Sequence, residues 1–188
     1  MYLTADLQAV FRSMPAKWKA PLKEPPAARF YIAVAFDEDE HYHDMKKKLA
    51  AEFGKIDFET NPDPLLPVPS LYGGHDYRKF RVISFERPIA REELVDLRRR
   101  CLALEVRHQK NGRLLVELDP GYVHIYGAVR TALEEDFHRI YLYAGIYGES
   151  LYYFEKISYR PWLHTPDFFR SPEILVAFND LRLIVSQA

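Results

Sequence analysis

The run Phe30-Tyr31-Ile32-Ala33-Val34-Ala35-Phe36 constrains this chain more than any other stretch. Seven consecutive apolar residues are enough for a central strand. Asp37-Glu38-Asp39-Glu40 follows at once, and acids suit a helix N-terminus, where the dipole is positive. The helix is expected to continue through Met45, Leu49 and Phe53 and to stop at Gly54. Ile56 and Phe58 then alternate with polar residues as a second strand, and Asn61 to Pro69, with four prolines, reads as a loop.

The pattern recurs. Phe80 to Phe85 is a strand, which Glu86-Arg87-Pro88 is expected to break. Ala90 to Leu104 reads as a helix with Leu94, Leu97, Cys101 and Leu104 on one face. Asn111-Gly112 makes a turn into a closing strand, Leu114 to Leu118. Two strand–helix–strand units in one antiparallel sheet, with both helices on one face, give an α+β fold, a ferredoxin-like βαββαβ sandwich. The proline loop and the Asn-Gly turn suit short hairpin connections better than a doubly wound parallel sheet.

Beyond Asp119 the periodicity is mixed. Tyr122, Ile125, Tyr126, Val129 and Leu133 fit a helical stripe, and a short helix is expected there, although the β-branched content also fits a strand. Arg139 to Tyr143 and Ile146 to Phe154 form a Tyr-rich β-hairpin turning at Ala144-Gly145. Tyr159 to Phe169 reads as a loop. Ser171-Pro172-Glu173 starts a terminal helix that buries Ile174, Leu175, Phe178 and Leu181. The single α+β domain is expected to span 29–188. Residues 1–28 form an appendage, with a short amphipathic helix (Leu3, Leu7, Val10, Phe11) and a linker containing Pro15, Pro21, Pro25 and Pro26. Trp18 in that linker is expected to dock on the domain.

Several functions are disfavoured by composition. A net charge of −1 gives no field for capturing nucleic acid. No apolar run approaches the roughly 18 residues of a membrane span. The single cysteine, Cys101, rules out an internal disulfide, and the N-terminus lacks a secretory pattern, so the expected compartment is the cytoplasm. Cys101 is expected to be buried and structural.

Polar groups with chemical potential concentrate between residues 119 and 149. Asp119-Pro120-Gly121-Tyr122 reads first as a type II turn, with Pro fixing φ and Gly supplying a positive one. Its functional reading puts Asp119 at the end of a central strand. Arg139 and Glu149 would face each other across the hairpin as an ion pair, while Arg139 could instead grip a carboxylate or phosphate. His138 has the pKa of a general base. An Asp119–His138–Glu149 metal set has suitable ligand types but no close spacing, so no metal is assigned. His41-x-His43 cannot share an ion on a helix, because residues two apart point about 200° away from each other. Tyr72 to Tyr77 is a lid or a plain connection, and Trp162, His164, Asp167 and Arg170 are further candidates to line the same cleft.

Leu118-Asp119-Pro120-Gly121-Tyr122, His138-Arg139-Ile140-Tyr141-Leu142, Gly145-Ile146-Tyr147 and Pro161-Trp162, in this order, resemble a bacterial family, the domain-of-unknown-function family DUF4416. Phe53-Gly54-Lys55-Ile56-Asp57, Phe80 to Glu86, and Pro166 to Ser171 followed by Phe178-Asn179 echo it more weakly. The likeness covers roughly residues 29 to 185. Tyr143-Ala144 stands where the family more often has a Gly-Lys pair, and the proline-rich N-terminus lies outside the pattern. Some members carry a GTP-binding label. This chain has neither a G-x-x-x-x-G-K-[ST] loop nor an Asn-Lys-x-Asp motif to support it.

Three readings stay open. The first is binding of a small anionic or nucleotide-like ligand by Asp119, Tyr122, His138, Arg139, Tyr147 and Glu149. The second is a hydrolase or transferase using Asp119, His138 and Glu149. The third is an interaction module, homo-oligomeric or not, that uses the Tyr-rich sheet.

Overall fold

The computed structural model describes residues 25–60 and 67–187. The expected N-terminal helix and most of the linker, with Trp18, lie outside them, as do residues 61–66. The first unit is β1 (Ala28–Phe36), α1 (Asp39–Phe53) and β2 (Ile56–Glu59). A two-stranded ribbon follows, β3 (Val68–Pro69) with β4 (Asp76–Tyr77). The second unit is β5 (Lys79–Ile89), a 3-10 turn and α2 (Leu94–Arg107), then the β6–β7 ribbon (Gln109–Lys110, Arg113–Leu114) and β8 (Val116–His124). Asn111 and Gly112 take positive φ, 52° and 77°, as an Asn-Gly hairpin requires. The chain ends with β9 (Gly127–Ala132), β10 (Arg139–Tyr143), β11 (Ile146–Glu155), β12 (Ser158–Pro161), a 3-10 turn and α3 (Pro172–Ser186).

One antiparallel sheet holds the order β10-β11-β9-β8-β1-β5-β2, with β12 also pairing β11. The two strand–helix–strand units supply β8-β1-β5-β2, an order consistent with the ferredoxin-like arrangement. β1 is its spine, and alternation sends its side chains to two cores. Phe30, Ile32, Val34 and Phe36 pack with α1 and α2. Tyr31, Ala33 and Ala35 pack on the opposite face with Phe169, Ile174, Phe178 and Leu181. The unbroken apolar run is therefore a strand covered on both faces. Ser171 caps α3 through Oγ, which accepts from the Ile174 amide at 3.4 Å. Cys101 is fully buried on α2, and burial pushes its thiol pKa well up, so it is inert core. No helix among the described residues is long and apolar enough to cross a membrane.

Four local expectations are corrected. Pro88 does not end β5, which runs on to Ile89. β2 leaves β5 after the Ile56–Phe85 pair, so the stretch holding Pro88 has a neighbour on one side only, and a missing N–H is tolerated there. Asp119-Pro120-Gly121-Tyr122 is not a turn but the middle of β8. Pro120 pairs with Ile32 of β1, while on its other side its carbonyl accepts from Thr131 Oγ1 at 3.2 Å. The last β8–β9 rung is Gly121–Arg130, so no ladder bond is asked of the proline nitrogen. Residues 122–133 form no helix: Tyr122 pairs with Val129 and Val123 with Ala128 in a tight hairpin. The stretch 159–169 is only partly loop, since Ser158–Pro161 pairs with β11 and Asp167–Arg170 is a 3-10 turn.

Candidate functional site

A row of paired residues crosses the α3 face of the sheet, Tyr31–Gly121–Arg130–Glu149–Arg139. Gly121 has no side chain because the Tyr31 ring passes over it, with the Tyr31 hydroxyl donating to the Val129 carbonyl at 3.3 Å. Asp119, two residues along β8 on the same face, meets Arg130 Nε at 2.9 Å through Oδ2. This approach lacks hydrogen-bond alignment. Among the described residues, neither Asp119 oxygen nor Arg130 Nε has an aligned partner. Both side chains are almost fully buried, and burial pushes Asp119 up to about 6 against the opposing pull of Arg130 and Arg98.

β9 pulls away from β8 above Gly121, which leaves the Leu118 backbone without a strand partner on that side. α2 supplies the replacement. Arg98 donates to the Leu118 carbonyl, and Glu105 Oε1 accepts from the Leu118 amide at 2.6 Å. Tyr72 joins them, donating to Glu105 Oε2 at 2.6 Å and accepting from Arg98 Nη2 at 2.9 Å. Arg98 and Glu105 are 1% exposed, and burial lifts Glu105 to about 7. Glu117, also buried, accepts from the Leu71 amide at 2.7 Å and from Tyr77 at 3.2 Å. The Tyr72–Tyr77 segment is thus fastened to the core through Tyr72 and Tyr77 and does not hang over it as a lid.

The opening where β9 diverges is a cleft of about 240 Å³, lined by three arginines, Arg98, Arg130 and Arg139, with Ser70, Glu134 and Phe168. Arg139 holds Glu149 Oε2 through Nε at 2.9 Å and the Glu134 carbonyl through Nη1 at 3.0 Å. The expected cross-strand pair is there. His138 Nε2 lies 3.7 Å from the same Glu149 oxygen, and the His138 ring stacks on His164 at 4.2 Å.

Residues 26–184 match the family described as Domain of unknown function (DUF4416). The chain belongs to that family. Comparison with curated proteins and with solved structures returned no match.

In this DUF4416 domain, His138, Arg139 and Glu149 come together, and Arg130 lies between Glu149, its neighbour in the row, and Asp119. Tyr122 does not join them. It points to the opposite face, among the residues packed against α1 and α2, with Arg91 5.9 Å from its ring. Tyr147 packs edge-on against Tyr141 at 5.3 Å. Four central groups escape a reading of the sequence alone: Arg98, Glu105, Glu117 and Arg130. For two of them a signal exists. Arg98 falls four residues after Leu94, and Glu105 four after Cys101, which places both on the apolar stripe of α2. Charges on such a stripe are buried with partners or at a site.

Proposed function

We propose that the cleft binds a small anion bearing a phosphate or carboxylate group. Arg130 carries this reading: a buried guanidinium with an unaligned Nε, flanked by two further arginines, is the donor geometry that planar and tetrahedral oxyanions match. The volume sets the scale. Drug-sized ligands occupy about 300–1,000 Å³, so about 240 Å³ takes the anionic end of a nucleotide-like molecule and not the whole of it.

The neighbouring carboxylates make the site sensitive to pH. Asp119 is raised to about 6 and Glu105 to about 7, so both gain protons in the folded state as pH falls through these values. Protonation removes the negative partners of Arg130 and Arg98 and leaves their charge for the ligand. The same raised values mean that these groups stabilise the ligand-free fold most below their unfolded pKa values, a contribution lost as pH rises through about 6 to 7. Sulfate, whose charge is constant over this range, is the cleanest probe. Calorimetric titration is expected to show one saturable site per chain that tightens by up to about tenfold per pH unit between pH 8 and 6. Arg130→Lys keeps the charge but loses the fork, and is expected to weaken binding about tenfold with little change in Tm. Absence of saturable binding of sulfate, phosphate and citrate at pH 6 would defeat the reading.

A second reading, association between copies, is supported by β10. This outermost strand exposes Ile140, Tyr141 and Tyr143 and carries no lysine or proline to blunt its edge. Sedimentation equilibrium is expected to show dimers that Ile140→Lys dissociates. A wild-type monomer at high concentration would eliminate it.

A further inference from the structure

We infer that His138, Glu149 and His164 form a site for one divalent transition-metal ion of the zinc class. Three ligand atoms, one from each side chain, lie within 4.8 Å of one another. The ligands come from three separate places: the loop ahead of β10, the middle of β11, and the loop after β12. His138 Nε2 and Glu149 Oε2 stand 3.7 Å apart, close to the roughly 3.4 Å edge of a tetrahedron with metal–ligand bonds of about 2.1 Å. Two imidazoles and one carboxylate are a ligand set that zinc and its neighbours favour.

The surroundings favour this set more than its composition does. A metal-bound histidine needs an acceptor for its other ring nitrogen, which fixes the tautomer. His164 gives Nε2 to the Ser150 carbonyl at 2.9 Å, leaving Nδ1 as its lone pair. His138 turns Nδ1 toward Asp136 Oδ1 at 3.7 Å, leaving Nε2 facing Glu149. His138 is 12% exposed, and its buried Nδ1 has no hydrogen-bond partner among the described residues. Binding an ion through Nε2 fixes the proton on Nδ1, where a small ring movement brings it onto Asp136. Arg139 holds the shared Glu149 oxygen from the cleft side, orienting the carboxylate. The rings now stack with 21° between their planes, whereas ligand lone pairs lie in those planes. Loading must therefore splay the pair.

Three protein ligands leave a coordination position for water or an anion, the pattern of reactive rather than structural zinc sites. The site is one side chain, Arg139, away from the cleft, yet it stands without the anion reading, because its assay contains no added oxyanion. The full chain is stripped with chelator and titrated with Co²⁺ while visible absorption is followed. One Co²⁺ per chain is expected, with bands of nitrogen and oxygen coordination that Zn²⁺ abolishes by displacement. His164→Ala, at a half-buried position in the loop after β12, is expected to weaken binding at least about 100-fold with unchanged circular dichroism. His138→Ala carries the same expectation should His164→Ala fail to fold, and His41→Ala should leave binding untouched. Lack of stoichiometric binding overturns the inference. So does undiminished binding by either site variant, which would move the ion to other histidines, such as the His41–His108 pair 5.9 Å apart.

Discussion

Arg98→Met is expected to cost about 3–5 kcal/mol of folding stability, the range for breaking a buried ion pair by removing one partner. Arg98 supplies the hydrogen bond to the Leu118 carbonyl and one to Tyr72, and it balances Glu105 at 3.9 Å. Methionine matches the stem but answers none of these needs. The Leu118 carbonyl loses its partner, and Glu105 is left as a buried acid with no counter-charge. Because Glu105 stands near 7 even with Arg98 in place, its loss pushes the carboxyl higher. A raised acid stabilises most below its unfolded value and loses that contribution as pH rises through the folded one. Urea unfolding of Arg98→Met should therefore show a smaller deficit at pH 5 than at pH 8. Adding Glu105→Gln is expected to restore about 1–2 kcal/mol at pH 8, since an amide still accepts from the Leu118 N–H without a charge. A deficit below about 1 kcal/mol would show that the network contributes little, and one equal at both pH values would show that Glu105 does not carry its pH dependence.

Gly121→Ala is expected to cost about 3 kcal/mol, at the upper end of overpacking penalties. The added methyl would fall well inside contact distance of the Val129 carbonyl and of the Tyr31 ring. The carbonyl belongs to the β8–β9 ladder, so it cannot swing aside without breaking the rung to Tyr122. Had Gly121 served a turn, alanine would cost only about 1 kcal/mol through its backbone preference. Thermal and urea unfolding distinguish the two, and a cost near the lower figure would refute the packing explanation. Tyr31→Leu in the same background removes one of the two obstacles and should recover part of the loss, because the carbonyl remains.

Where spacing carries the information, the sequence was readable. The apolar run of β1, the stripe of α2, the Ser-Pro start of α3 and the turn at Ala144-Gly145 all derive from local periodicity or backbone chemistry. Counting outward from that turn sets Arg139 within one residue of Glu149, and an irregularity between Tyr141 and Tyr143 shifts the register to bring the two opposite. Asp119-Pro120-Gly121 misled for a physical reason. Proline and glycine have turn meanings in isolation, but here the proline sits past the end of one ladder and the glycine makes room for a ring from another strand. Arg130 was lost with the same error, since a helix over 122–133 erases the alternation that aims it at Glu149. His164 is only a loop candidate in the sequence, because its nearness to His138 depends on β10 and β12 following one another along the edge of β11 that β9 leaves free.

The sheet is continuous in outline but not in its bonding. β1 joins β5 and β8 through eight pairs each, whereas β8 and β9 share four, from Gly121–Arg130 to His124–Gly127. The molecule is thus two plates welded along a short seam, and the arginine cleft is the unwelded end of that seam. An anion seated between Arg98 on one plate and Arg130 on the other would act as a rivet, closing the crack where the backbone does not.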